Sequence, residues 1–73
     1  MNEPIDIEQT SNKIKEYMQK ANITTRDIAN ITNMSYQAVW KYTHGQGLPT
    51  IQHLFTISKI LGCTVEDLIV TVS

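Results

Sequence analysis

The side chains best suited to catalysis or metal binding in this sequence are His44, His53 and Cys63. A nucleophilic Cys/His pair needs an orienting acid, and a zinc site needs Cys and His ligands at characteristic short spacings. Here the spacings match no ligand pattern, and no acidic residue occurs between Ile28 and Val65. The segment GQGLP is not followed by the GK[ST] of a phosphate-binding loop. We therefore expect no catalysis, no metal and no cofactor.

A second group of candidate residues shares one face of a helix in the segment YQAVWKYTHG. A helix turns about 100° per residue, so if Val39 and Tyr42 point towards a core, other residues must point away from it. The outward side then carries Tyr36 at its edge, with Gln37, Trp40 and Lys41. Amide and ammonium groups can read the hydrogen-bonding pattern of a partner, and an exposed tryptophan often marks an interface. The alternative is an ordinary solvated helix face.

Helix caps and apolar spacing predict five short helices that position this face. Ser or Thr followed by an apolar run marks a helix start, and Asn or Gly marks an end. The predicted helices are Thr10 to Ala21, Thr24 to Asn33, Ser35 to Gly45, Thr50 to Gly62, and a short one after Thr64. We expect helix 4 to be the most buried, with Ile51 and Phe55 on its inner face, and Tyr42 to lie in the core.

The two ends of the chain are predicted to lie outside this core. Residues 1–9 are acidic and show no periodicity, which indicates a flexible arm. Residues 10–70 would form the domain and residues 71–73 a tail. The alternation in IVTVS at 69–73 weakly indicates a strand.

Composition limits the chain to one small domain. It has 73 residues, of which 41% are hydrophobic and 18% charged, and its single cysteine cannot form an internal disulfide. No segment has the length and hydropathy of a signal peptide or membrane span, so we expect a soluble, cytoplasmic protein. The net charge of -1 argues against an anionic partner. However, residues 9–73 contain six basic residues and only four acidic ones.

The segment from Ile14 to Ile69 resembles the lambda-repressor-like, or Xre/Cro type, helix-turn-helix family. The residues that carry the resemblance are Ile23, Thr24, Ile28, Ala29, Met34, Ser35, Val39, Tyr42, Gly45, Pro49 and the ending LGCTVEDLI. Asn33 takes the place of the family's usual turn glycine. The resemblance implies an all-α, five-helix fold in which helices 2 and 3 form the helix-turn-helix.

The resemblance also implies sequence-specific binding of double-stranded DNA by a transcriptional regulator, most simply a repressor. Helix 3 would read the major groove. The implied base contacts are Tyr36, Gln37 and Lys41, to which the chemistry of the face adds Trp40. The implied phosphate contacts are Thr25, Arg26, Ser35, His44 and Gln46. An acid-free interval around helix 3 makes this surface locally positive.

Three positions depart from the family pattern. Met18 and Thr43 replace an Arg and a Glu that pair in several members. Their joint absence is physically coherent, because losing only one partner would leave a buried charge unpaired. Thr25 stands where a phosphate-binding Gln is common, and its reach is shorter.

Few cations per subunit predict weak binding by a monomer, which favours a homodimer. The apolar end of the chain is the predicted dimer surface, with Leu68, Ile69, Val70 and Val72. The alternative is that this segment packs under helix 1. A protein partner also remains open: the same fold could serve as a protein-interaction module, such as the neutralising partner of a toxin.

Overall fold

The computed structural model describes residues 4–72 and contains five α-helices in this range. They are α1 (Ile7–Ala21), α2 (Thr25–Thr32), α3 (Tyr36–Thr43), α4 (Ile51–Leu61) and α5 (Val65–Leu68). The predicted all-α fold with five helices is confirmed. Across these residues no helix is long and apolar enough to cross a membrane.

Each helix begins at a side chain that accepts a hydrogen bond from a free backbone amide of the first turn. The N-caps are Asp6, Thr24, Ser35, Thr50 and Thr64. Four of these were predicted from the sequence, and Asp6 was not. Because Asp6 accepts from the Gln9 amide at 3.0 Å, α1 begins at Ile7. The prediction that residues 7–9 belong to an arm outside the helices was wrong.

Three helices, α1, α2 and α4, end in left-handed backbone, at Asn22, Asn33 and Gly62, and the sequence predicted the last two of these ends. Asn22 and Asn33 have φ angles of 57° and 59°. The third helix stops at Thr43, slightly before the predicted end. Gly45 follows with φ +70°, and the Gln46 amide donates to the Lys41 carbonyl at 3.1 Å. This closure requires a glycine because other residues are strained at that φ.

The core contains side chains from all five helices. Its fully or nearly buried apolar members are Ile14, Met18, Ile28, Ala29, Val39, Leu54, Ile57, Leu61 and Leu68. Tyr42 packs against this core, as expected. The expectation for α4 was partly wrong, because Ile51 is 72% exposed and Phe55 is 55% exposed. The buried face of α4 consists of Leu54, Ile57, Ser58 and Leu61.

The serine and threonine side chains buried in this core are hydrogen-bonded. Ser11 accepts from the Gly45 amide at 3.1 Å, which joins α1 to the turn after α3. Thr43 donates to the Trp40 carbonyl at 2.9 Å. Met18 and Thr43 are both buried, at 6% and 3% exposure, so neither position that departs from the family pattern carries a buried charge.

The two ends of the described chain pair with each other. The Asp6 amide donates to the Val70 carbonyl at 2.7 Å, and the Val72 amide donates to the Pro4 carbonyl at 2.9 Å. Between these bonds Ile5 and Thr71 form an isolated antiparallel bridge, so the strand signal at the C-terminus corresponds to a single bridge. Residues 1–3 of the predicted arm and Ser73 of the predicted tail lie outside the described residues.

Candidate nucleic-acid interface

The turn between α2 and α3 fixes the position of α3 on the domain. Asn33 ends α2 with left-handed backbone, and the Met34 amide donates to the Ala29 carbonyl at 3.1 Å. Ser35 then caps α3 by accepting from the Ala38 amide at 3.1 Å. Val39, 1% exposed, anchors α3 to the core. The opposite face of α3 is therefore turned outward.

All four predicted base-contacting residues lie on this outward face, which we call the α3 face. They are Tyr36, Gln37, Trp40 and Lys41, and they line one shallow depression of about 420 Å³. Tyr36 is 49% exposed and Trp40 is 39% exposed. The arrangement presents an amide, an ammonium group and two aromatic rings to a common partner. These groups match what base edges offer: paired hydrogen-bonding sites and, on thymine, a methyl group.

Two of the predicted phosphate-contacting residues occupy the first turn of α2. Thr25 is half-buried and Arg26 is exposed. The Arg26 guanidinium lies 5.7 Å from the centre of the Tyr36 ring, which places a cation at the start of the α3 face. Sequence spacing could not have revealed this contact, since it depends on how α2 packs against α3.

The remaining predicted phosphate contacts lie at the two ends of α3. Ser35 uses its oxygen as an N-cap and keeps its hydroxyl hydrogen for another partner. His44 and Gln46 are exposed in the turn after α3. The His44 ring stacks on Trp40, with centroids 3.8 Å apart and planes at 11°. The four-residue spacing of these two rings on a helix was the sequence signal for this pair.

The start of α2 is fixed by a reciprocal pair of hydrogen bonds between Thr24 and Asp27. The Thr24 amide donates to the Asp27 carboxylate at 2.9 Å, and the Asp27 amide donates to the Thr24 hydroxyl at 3.1 Å. The hydrogen bond from the Thr24 amide contributes most to lowering the pKa of the Asp27 carboxyl. A hydrogen bond with the Thr24 hydroxyl lowers this pKa further. The carboxylate is therefore engaged within the cap.

Replacing Asp27 with asparagine is expected to lower stability at neutral pH and to reduce the sensitivity of the fold to acid. A carboxyl whose pKa is lower in the folded chain stabilises the fold above its unfolded pKa. That contribution is lost as pH falls through the folded pKa. Urea unfolding of Asp27→Asn and of the unmodified chain should therefore differ at pH 7 and converge as the pH falls below the folded pKa of Asp27. The control Glu66→Gln, which removes a carboxylate that does not bond to a cap, should show no such convergence.

The residues first considered for catalysis do not assemble into a site. Within residues 4–72 no three His, Cys, Asp or Glu side chains converge to hold a metal ion. Burial, followed by the charge of Asp67, raises the pKa of the Cys63 thiol, which keeps it protonated at neutral pH. His53 lies on α4, where its Nδ1 atom is buried with no hydrogen-bond partner among the described residues.

The residues predicted to form a dimer surface divide into buried and exposed members. Leu68 is completely buried inside the chain, so its assignment to a dimer surface was wrong. Ile69 and Val70 are half-buried, and Val72 is 48% exposed. The most exposed apolar side chain of the described range is Ile51 on α4. Sequence reasoning had placed that residue in the core.

Comparison with known proteins shows that the sequence matches one family model. A model of the Cro/C1-type helix-turn-helix DNA-binding domain matches residues 13–73. No curated protein matches the chain.

Several solved structures share the fold at low sequence identity. The clp gene regulator ClgR from C. glutamicum has a TM-score of 0.79 at 19% identity, over 92% of this chain and 86% of that chain. The restriction-modification controller protein C.AhdI from Aeromonas hydrophila has a TM-score of 0.78 at 13% identity, over 86% of this chain and 96% of that chain. HppE in its apo form has a TM-score of 0.80 at 17% identity, but only 36% of that chain is covered. At these identities the similarity shows a common fold.

Proposed function

Because the chain belongs to the Cro/C1-type helix-turn-helix DNA-binding family, we propose that it is a transcriptional repressor, acting in the cytoplasm, whose α3 reads the major groove of double-stranded DNA. The observation that carries this proposal is the α3 face. It brings the four predicted base-contacting residues into one depression on the side of α3 opposite the buried Val39. The names of ClgR and C.AhdI, a gene regulator and a controller protein, agree with a regulatory role.

The chemistry of the α3 face suits direct reading of bases. The amide of Gln37 can donate to N7 and accept from N6 of adenine, and the ammonium of Lys41 can donate to O6 and N7 of guanine. Aromatic carbon of Tyr36 can lie against a thymine methyl group. Discrimination among sequences then follows from the placement of these groups along α3.

Backbone contacts would hold α3 in the groove. Thr25 and Arg26 lie in the first turn of α2, where free amides and the helix dipole favour an anion. Ser35, His44 and Gln46 flank α3 at its two ends. Contacts of this kind set the register of a protein on DNA without reading its sequence.

The small number of cations supports a homodimer on DNA. Arg26 and Lys41 are the two Lys or Arg residues of α2 and α3, so one subunit neutralises few phosphates. Two subunits related by a two-fold axis would double the contacts and recognise half-sites about 34 Å apart. Large apolar residues that are exposed outside the α3 face could serve such pairing: Ile5, Ile7, Ile31, Ile51, Phe55 and Val72.

Replacing Lys41 with alanine is expected to weaken DNA binding by about 1–3 kcal/mol, because Lys41 is the cation of the α3 face. The measurement is fluorescence anisotropy of labelled random-sequence duplex DNA at 50 mM and 200 mM salt. The unmodified chain should bind more tightly at the lower salt concentration. Lys59→Ala is the matched control. The Lys59 ammonium lies 5.2 Å from the centre of the Phe55 ring on α4. Its loss should change the affinity for DNA by less than about twofold. Absence of binding at low salt, or equal loss in both variants, would refute the proposal.

A protein-interaction module remains the second candidate. It is favoured by the two aromatic rings, Tyr36 and Trp40, in a depression of about 420 Å³, since such surfaces also receive protein side chains. An antitoxin-type partner protein would use this face without DNA. The titration above separates the two functions, because only the DNA-binding regulator responds to salt and to the loss of Lys41.

A further inference from the structure

The imidazole of His44 is held in one orientation at the end of α3. Its ring stacks on Trp40 at a centroid distance of 3.8 Å. Its Nδ1 atom lies 2.7 Å from the Trp40 carbonyl oxygen and 2.9 Å from the Thr43 hydroxyl oxygen. Stacking and hydrogen bonding together restrict both the position and the rotation of the ring.

These contacts determine which ring nitrogen carries hydrogen in the neutral form. A carbonyl oxygen only accepts hydrogen bonds, so the 2.7 Å contact requires a hydrogen on Nδ1. In neutral imidazole the second nitrogen, Nε2, is then an acceptor. Since phosphate oxygens are themselves acceptors, a neutral His44 cannot bond to DNA phosphate through Nε2.

Protonation reverses this property. The imidazolium carries a hydrogen on Nε2 as well and becomes a charged donor. The Trp40 ring favours a cation on its face, and the C-terminal end of α3 favours positive charge. Histidine is the side chain whose charge ordinarily changes between about pH 5 and 8.

The charged groups around His44 come from α1 and α3. A cleft of about 290 Å³ beside the ring is lined by Glu8 and Lys15 of α1, together with Asn12, Thr43 and Gly45. On α3 the nearest cation in sequence is Lys41. Among the described residues no carboxylate is hydrogen-bonded to the His44 ring, so its Nε2 atom is available to bind an external anion.

We propose that His44 is a protonation-dependent phosphate contact, so that affinity for DNA increases as pH falls through the range in which histidine titrates. Trp40 is a positioning residue, because it holds the imidazole by stacking and by its carbonyl. The inference rests on the proposed DNA-binding function and adds to it a regulation by pH.

The test is the affinity of the unmodified chain for duplex DNA at pH 5.8 and pH 8.0 at fixed ionic strength. We expect binding about three- to tenfold tighter at pH 5.8. The slope of log affinity against log salt should be steeper there by about 0.9 for each additional phosphate that the protein neutralises. His44→Gln should bind DNA with the same affinity and the same salt slope at pH 5.8 and pH 8.0. Trp40→Leu should reduce the pH dependence, and Trp40→Phe should retain it.

Two controls separate this effect from changes in folding. His53→Gln should keep the full pH dependence, and circular dichroism should show folded protein at both pH values. If the unmodified chain binds equally at both pH values, or if His44→Gln keeps the pH dependence, the role of His44 is refuted while DNA binding stands. If no variant binds DNA at either pH, both proposals fail.

Discussion

Replacing Leu68 with alanine is expected to lower the free energy of unfolding by about 2–5 kcal/mol. Leu68 is completely buried and is the sole buried residue contributed by α5. A domain of 73 residues has a total stability of only about 4–11 kcal/mol, so this one change removes a large share of it. Urea unfolding followed by circular dichroism measures the loss directly.

Val72→Ala is the matched control, because Val72 is 48% exposed four residues later in the same apolar segment. We expect it to change stability by less than about 0.5 kcal/mol. An unchanged unfolding midpoint in Leu68→Ala would contradict its place in the core. That result, with a loss of self-association in light scattering, would restore Leu68 to a dimer surface.

Replacing Gln37 with alanine is expected to remove the preference for one A·T pair in the bound sequence. A bidentate amide contact contributes about 1–3 kcal/mol of discrimination, or roughly 5- to 150-fold between the right and wrong base. The preferred duplex is first selected from a random pool with the unmodified chain. Each single base-pair change in that duplex is then titrated with both proteins. One position should become tolerant of substitution, while the others keep their preference.

Gln52→Ala provides the comparison for this experiment. Gln52 is an exposed glutamine on α4, away from the α3 face, and its loss should leave every base preference intact. If Gln37→Ala retains the complete set of preferences, Gln37 does not read a base. If all preferences weaken together in equal measure, the residue acts on general affinity only.

The helix boundaries were largely predictable because capping is a local property. Thr24, Ser35, Thr50 and Thr64 each lie just before an apolar run and accept from an amide three residues later. The α1 cap follows the same chemistry, but apolar periodicity alone does not indicate it. Asp6 with Gln9 three residues on was the available signal.

The direction in which side chains point on α4 was less predictable. Apolar residues cover a wide arc of this helix, and periodicity alone does not show which part of the arc meets the core. Leu54 and Ile57 point inward, towards the helices that α4 packs against, which are α1, α2 and α5, whereas Ile51 and Phe55 point outward. This choice depends on the placement of the other helices.

The α3 face was predicted from helical geometry, and its four residues lie together as expected. The contacts that orient individual side chains were not predicted. The Arg26 contact with Tyr36 joins two helices, and the Trp40 stack on His44 depends on a rotamer at the end of α3. The first contact is a property of tertiary packing. The second agrees with the four-residue spacing of the two rings, but spacing alone does not give the rotamer.

DNA reading by α3 is tested most directly by the map of backbone amide shifts in a ¹⁵N-labelled sample titrated with the selected duplex. We expect the largest shift changes on residues 25–26 and 35–46, which carry the α3 face and its flanking phosphate contacts. Residues 51–59 of α4 should change little. Shift changes centred on α4, with α3 unaffected, would contradict the reading of DNA by α3.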